Sequence, residues 1–283
     1  MPDDAVCQSL QGIRVVSWNI RHGGGRRLGA IFDALAGHVP DIIVLTEFRS
    51  GPTAPLLERL AAAGWPHTVT SDPPPRRNGV AVLSRELLVA RRPPRSMPSD
   101  RWVEVPAFGF VLAAVYVPVR GRDPSKKDAY WRGLLEAAAM RRQTSFLFIG
   151  DWNTGAPVGD AEPEGRGFSC CEHFDAMSEH GFVDAWRLLH PHQRAFSWYS
   201  RRGGADLHGS CIDHAFVSRP LRDRLVSCEY SDVERRAAVS DHAALLLDLR
   251  LGSIGSVEAP SSERATNLVL QPADFVGASA PDR

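Results

Sequence analysis

Lysine is almost absent from this 283-residue chain: Lys126 and Lys127 are the only two, and arginine carries nearly all of the positive charge. Arginine suits bidentate phosphate contacts, but a bias spread over the whole sequence does not single out a site. Net charge is absent as well, with 33 basic and 33 acidic residues. No global field therefore draws the chain to nucleic acid or to an anionic membrane, and local clusters must carry any such attraction. Cys7, Cys170, Cys171, Cys211 and Cys228 are odd in number and form no C-x-x-C pair. That pattern gives no ground for a disulfide framework or a zinc site. Residues 1–11 contain acids and no apolar stretch, and no run of about 18 apolar residues occurs anywhere. The expectation is a soluble, cytoplasmic protein with free thiols, and no internal repeat suggests a solenoid.

What is present is a core. With 43% hydrophobic residues spread evenly, the sequence predicts one domain over 12–251. It lies between a short arm, 1–11, and a tail, 252–283, whose Ser, Pro, Ala and Gly content predicts disorder.

The strands are the informative part. Phe146 to Ile149 reads as a buried strand, and Gly150-Asp151-Trp152-Asn153 sets a carboxylate and a carboxamide two residues apart at its end. Ile13 to Trp18 ends similarly in Asn19, followed by Arg21, His22 and three glycines. Asp41 to Thr46 delivers Glu47, an acid poorly explained as solvated when the strand before it is apolar on both faces. Gly79 to Arg85 is a further strand, entered through an Asn78-Gly79 turn, and Phe108 to Val117 carries Tyr116 toward its end. Leu87 to Arg92 and Trp102 to Val105 read as more exposed strands, and Val69 to Asn78 and Arg201 to Gly209 as loops. A short aromatic strand, Phe196 to Tyr199, precedes Cys211 to Val217, which embeds Asp213 and therefore needs a partner for it. Ser240-Asp241-His242 leads into the last strand, Ala243 to Leu251. Helical spacing marks Leu28 to Ala36, Pro55 to Ala63, Asp128 to Arg142 and Cys171 to Glu179.

Ser17-Trp18-Asn19, Val44-Leu45-Thr46-Glu47, Gly79 to Ser84, Tyr116-Val117-Pro118, Gly150 to Asn153, Ile212-Asp213-His214 and Ser240-Asp241-His242 follow one another in order. In these segments the chain resembles the endonuclease/exonuclease/phosphatase superfamily, over roughly Gly12 to Leu251. The resemblance implies a four-layer α/β/β/α sandwich, two mixed sheets face to face with helices outside.

The chemistry then expected is phosphoester hydrolysis with Mg²⁺, or Mn²⁺, held by oxygen ligands. Glu47 is the first candidate ligand, with Asn19 and Asp241 close by. Asp151 would orient or deprotonate the attacking water, and Asn153 and Tyr116 would donate to non-bridging oxygens. Asp213 would fix the tautomer of His242 and favour its charged form. Asn19 and His22 join Asn153 and Tyr116 as candidate substrate contacts. Three other residues read as structural: His214, on the opposite face of its strand from Asp213, as a packed histidine; Cys211 as a small filler; and Asp184 as part of the frame.

Two departures bear on the substrate. DNA repair enzymes of the exonuclease III type place an acid where this chain has Arg21, and abasic-site enzymes place an aromatic where it has Gly209-Ser210-Cys211. Both argue against abasic-site specificity. Arg26-Arg27, Arg76-Arg77, Arg120, Arg122, Lys126-Lys127 and Arg201-Arg202 form local basic pairs that fit either a phosphate backbone or ordinary surface charge. No amphipathic basic helix favours a membrane lipid. The leading expectation is a metal-dependent nuclease on DNA or RNA, monomeric and without an obligate protein partner. A phosphatase or phosphodiesterase of a small or lipid phosphoester is the second reading, and a silent binding protein of the same fold the third.

Overall fold

A computed structural model describes residues 12–251 apart from 122, 164–166, 203 and 204, together with the side chains of that span except those at 201, 202 and 205. The arm, the tail, Cys7, Arg122 and the side chains of the Arg201-Arg202 pair lie outside the described residues. In chain order the elements are β1 (Gly12–Asn19), α1 (Leu28–His38), β2 (Ile42–Phe48), α2 (Ser50–Ala62), β3 (His67–Thr70) and β4 (Gly79–Ser84). They continue as β5 (Trp102–Ala107), β6 (Phe110–Tyr116), α3 (Ser125–Arg141), β7 (Phe146–Asp151), α4 (Cys171–Glu179), β8 (Phe182–Asp184) and α5 (Ala185–Leu189). The last are β9 (Trp198–Arg202), β10 (Ala205–Ser210), β11 (Asp213–Ser218), α6 (Arg219–Arg222), β12 (Leu225–Ser231), α7 (Val233–Arg236) and β13 (Ala244–Arg250).

One sheet has the order β12-β13-β1-β2-β4-β3 and the other β5-β6-β7-β11-β8, with β9 and β10 as a separate hairpin. Both large sheets are mixed, since β1 runs parallel to β2 and β6 parallel to β7 while their other pairs are antiparallel. Strand residues alternate between faces, and the alternation sorts the core into layers. Val15, Ile42, Val44, Val80, Val82, Leu112, Ala114, Leu147, Ile149, Ala215, Val217 and Leu247 share one cluster between the sheets. Their sequence neighbours Val16, Ile43, Leu45, Ala81 and Leu83 join Ile31, Leu35, Leu56 and Leu60 of α1 and α2. On the other side Ala113, Val115, Phe146, Phe148 and Phe216 join Trp131, Leu134, Phe174 and Met177 of α3 and α4. Apolar residues on both faces of each strand thus require helices outside and a second sheet inside, which is the four-layer sandwich.

Several expectations are corrected. Leu87 to Arg92 forms no strand, only an isolated bridge from Arg91 to Glu104. β5 is not exposed: Trp102 packs in the outer cluster and Val103 and Val105 in the inner one. The polar stretch before Gly209 is the β9–β10 hairpin, part of the segment read as a loop after Val69 belongs to β3, and β12 was not anticipated. Asp213 is not embedded within its strand but is the first residue of β11. Helix α2 starts at Ser50, ahead of Pro55, because Pro52 sits in the first turn where its missing N–H has no intrahelical acceptor. No helix among the described residues is long and apolar enough to cross a membrane.

Candidate active site

β1, β2, β6 and β7 end, and β11 and β13 begin, at the same edge of the sandwich, because the last two run antiparallel to β7 and β1. Parity then decides which side chains enter the gap between the sheets. Asn19 follows Val15, Tyr116 follows Leu112 and Ala114, Asp151 follows Leu147 and Ile149, and Asp213 precedes Ala215 and Val217, all on the inner face. Glu47 needs a special device. The β2–β4 register shifts between Thr46 and Phe48, and Glu47 takes φ 54°, so Phe48 turns to the outer cluster while the glutamate carboxylate turns inward to meet Tyr116. Gly150 is required by a close approach: a Cβ there would lie 2.0 Å from the Val115 carbonyl oxygen, at φ 147°.

Asp151, Asp213 and His242 are almost fully buried, and their candidate ligand atoms all lie within 4.8 Å of one another. Asp213 Oδ2 is 2.8 Å from His242 Nδ1. Burial works against a charge on His242, but the attraction and hydrogen bond of Asp213, helped by Asp151 and Asp241, win and raise its pKa to about 10. The ring is therefore an imidazolium at neutral pH, and its Nε2–H has no partner among the described residues. Burial, then the charge of Asp213, raise Asp151 to about 7 against the pull of His242, Asn19 and the Asn153 N–H. Asn19 Nδ2 donates to Asp151 Oδ2 at 2.9 Å, and Asn153 N donates to Oδ1 at 2.9 Å, so both carboxylate oxygens are held.

The other side of the pocket is acidic. Glu47 Oε2 accepts from the His22 backbone N at 2.7 Å and lies 2.8 Å from His22 Nδ1, while Tyr116 OH donates to Oε1 at 3.3 Å. Burial, with Glu47 and Asp151 nearby, pushes the Tyr116 phenol up, so it remains a donor. Asp241 reaches Arg21 Nε at 3.8 Å. Asn19 Oδ1 accepts from Arg21 N at 2.9 Å, making Asn19 a bridge between Asp151 and the glycine loop. Glu47 and Asp241, each held by a contact to the Arg21-His22 loop, are two carboxylates of the kind that a divalent ion satisfies. The donors are all oxygens, which fits a hard cation such as Mg²⁺. Asn153 sits at φ 47° and donates Nδ2 to the Val117 carbonyl at 3.0 Å, leaving its second amide hydrogen for a ligand.

Behind β11 lies a second compact group, Asp160, Cys211 and His214. His214 is more than a packed ring. Its Nδ1 is 2.7 Å from Asp184 Oδ2 and its Nε2 3.1 Å from the Cys211 carbonyl. Burial opposes its charge, but Asp184 and Asp160 raise its pKa. With both ring nitrogens engaged, Arg187 on Asp160, and Cys211 Sγ beside Tyr230 OH, this group is an internally neutralised brace. Asp184 also caps α5 by accepting from Arg187 N, as a frame residue.

Sequence reasoning missed residues that hold the site. Ser197 Oγ accepts from the backbone N–H of Ile212 and of Asp213, and its carbonyl accepts from Ala243 N at 2.7 Å, so one serine ties together the segments carrying Asp213 and His242. A hydroxyl inside the aromatic run Phe196 to Tyr199 was the available signal. Ser240 Oγ donates to the Asn19 carbonyl at 2.6 Å, and Trp18 Nε1 to the His242 carbonyl at 2.9 Å. Asn78, read only as a turn residue, lies 3.2 Å from His22 Nδ1 and accepts from Arg49 Nε. Of the basic pairs, Arg26, Arg76, Arg77 and Arg120 are exposed, whereas Arg27 is committed to backbone carbonyls and Lys127 is buried.

The fold and site together define a class: a four-layer sandwich with a buried carboxylate–imidazolium centre and an acidic wall at one edge of its facing sheets. Residues 16–242 match the model of the Endonuclease/Exonuclease/phosphatase family, and the chain belongs to that family. It is a phosphoric ester hydrolase. Similar solved structures include a 3′ phosphatase from Neisseria bound to a product DNA hairpin, with 24% identity over 84% of this chain and 99% of that one and a TM-score of 0.73. An AP endonuclease from Archaeoglobus fulgidus shares 24% identity over 83% of this chain and 98% of its own, with a TM-score of 0.72. A 3′-5′ exonuclease from Neisseria meningitidis shares 25% over 84% and 100%, with a TM-score of 0.71. No curated protein sequence matches the chain significantly.

Proposed function

We propose that the chain is a divalent-metal-dependent phosphodiesterase that cleaves nucleic acid. The observation that carries this reading is the Asp151–Asp213–His242 cluster, which pairs a carboxylate raised to about 7 with an imidazolium fixed by a second carboxylate. Asp151 takes the proton of the attacking water as the water oxygen bonds to phosphorus and the bond to the leaving oxygen breaks. His242 presents Nε2–H to a non-bridging oxygen, the second Asn153 amide hydrogen is the further donor, and Tyr116 OH, whose one hydrogen goes to Glu47, orients that carboxylate. Asn19 and the Asn153 backbone keep the Asp151 carboxylate in one orientation, which lowers the reorganisation needed in the transition state. Glu47 and Asp241, with Asn19 Oδ1, are the residues that would hold Mg²⁺ or Mn²⁺. When bound, the ion supplies Lewis-acid polarisation of the phosphoryl oxygen and charge neutralisation at the leaving oxygen.

A nucleic-acid substrate is supported by the exposed arginines at 26, 76, 77 and 120, and by similar structures of which one is bound to a DNA hairpin and others are named as an AP endonuclease and an exonuclease. The test is a panel of plasmid, single-stranded DNA, RNA and bis(p-nitrophenyl) phosphate, each with Mg²⁺, Mn²⁺ or chelator. Metal-dependent cleavage of nucleic acid, lost in Asp151→Ala and His242→Ala, is the expected result. Turnover of the simple diester without nucleic-acid cleavage would overturn the substrate assignment, and no turnover of any ester would overturn the phosphodiesterase reading.

A further inference from the structure

Beside the site, on the far side of Asn153, lies a cavity of about 260 Å³ whose lining includes Arg120, Lys127, Asn153, Phe168, Ser169 and Ser210. None of the described residues that line it is acidic. Lys127 is the unusual member. Only 2% of it is exposed, it is one of the chain's two lysines, and among the described residues no carboxylate forms an ion pair with it. Its Nζ donates to the Asn153 carbonyl at 2.7 Å and to Ser169 Oγ at 3.0 Å. An ammonium carries three hydrogens, so one is left without a partner among the described residues. Burial pushes its pKa down, Cys170, Asp151 and Cys171 act against that, and Arg120 adds to it. A buried ammonium with one hydrogen unpartnered among the described residues, lining the same cavity as a second cation, is a place where an anion is favoured. The rest of the lining suits a phosphate: Arg120 offers a fork of donors, Ser169 and Ser210 offer hydroxyls, and Phe168 offers an apolar wall to a sugar or base.

Position gives the anion its place in the substrate. Asn153 lines the cavity with one side and holds Asp151 through its backbone N–H with the other. A group in the cavity is therefore covalently within reach of the phosphoester presented to Asp151. We propose that this cavity binds a second phosphate of the substrate, next to the one that is cleaved, so that the preferred substrates are nucleotides or oligonucleotides carrying a phosphate on both sides of one sugar. The volume lies just below the range of about 300–1,000 Å³ typical of drug-sized sites, as suits a phosphate with part of its sugar and not a whole dinucleotide. This assignment rests on the phosphodiesterase reading above.

The test is calorimetric binding, with Ca²⁺ in place of Mg²⁺, of thymidine 3′,5′-bisphosphate, the two thymidine monophosphates, and a thymidine dinucleotide with a 5′-phosphate. The bisphosphate should bind about ten-fold or more tighter than either monophosphate, and Arg120→Glu should bring that ratio close to one. The same charge change far from the cavity, Arg222→Glu, should leave the ratio intact. A gain for the bisphosphate alone assigns the cavity to a terminal phosphate, and an equal gain for the dinucleotide assigns it to a backbone phosphate. Equal binding of mono- and bisphosphates, or a ratio lost equally in Arg222→Glu, would overturn the proposal. Hydrolysis of bis(p-nitrophenyl) phosphate with Mg²⁺ is scored separately. Hydrolysis without a bisphosphate preference removes the second-phosphate site alone, whereas a preference without hydrolysis of any ester removes the catalytic reading and leaves a phosphate-binding cavity.

Discussion

Asp151 and Asp213 are direct partners across the β7–β11 ladder, so two buried carboxylates face the same gap with His242 beside them. Three ionisable groups in contact cannot titrate independently, and the proton inventory of the trio sets when the site works.

The first consequence is a bell-shaped pH profile. Activity should rise as Asp151 loses its proton, around pH 7, and fall as His242 loses its own, around pH 10. Steady-state kcat/KM measured at constant metal occupancy checks this. A profile flat through neutrality would remove Asp151 as the base.

Replacing one carboxylate should move both limbs. In Asp213→Asn the like charge next to Asp151 disappears, lowering the Asp151 pKa, and the partner that holds the imidazolium weakens, lowering the His242 pKa. The rate should drop about a hundredfold or more, and both limbs should shift toward acid. Imidazole proton shifts followed by NMR report the His242 part directly. A rate loss with neither limb moved would show that Asp213 acts on geometry alone.

On the acidic wall, Glu47→Gln keeps a hydrogen-bonding group for Tyr116 and His22 but removes one negative charge. Affinity for Mn²⁺, read as free ion by electron paramagnetic resonance, should fall about ten-fold or more. Unchanged affinity would move the metal away from Glu47.

Stability has its own pH signature, set by the brace behind β11. The pKa of His214 is raised above its ordinary 6.5 by Asp184 and Asp160 despite burial. Its contribution is therefore fully present below about pH 6.5 and is lost as pH rises through the folded value. His214→Gln should cost about 3 kcal/mol in mildly acidic urea titrations, and less in alkaline ones. An equal loss at every pH would mean that His214 contributes packing and no charge.

Much of this arrangement could be read from the residues before any coordinates. Continuous apolar strands such as Ile42 to Leu45 announce burial on both faces, and a polar residue where such a strand stops has few places to go except a shared cleft. That logic located Asn19, Glu47, Tyr116, Asp151 and Asp213 at one edge. It did not reveal the bulge that turns Glu47 inward, because a bulge depends on register with β4 and leaves no mark in β2 alone. β12 escaped because Leu225 to Ser231 is an edge strand, half polar, with little periodic signal. Ser197 escaped, and Lys127 was read only as half of a basic pair, for another reason. Their work is done through backbone groups of residues distant in sequence, and those partners become neighbours only after folding.

The alternation that sorts each strand into an inner and an outer set also makes the strands into counters. Adding or deleting one residue ahead of Asn19, Asp151 or Asp213 would rotate that side chain from the gap into a helix-covered layer while leaving the composition of the strand almost untouched. Length changes should therefore be lethal to activity within β1, β7 and β11, and far better tolerated in the connections between them. Chain length, residue by residue, is as much a part of this site as the identity of its acids.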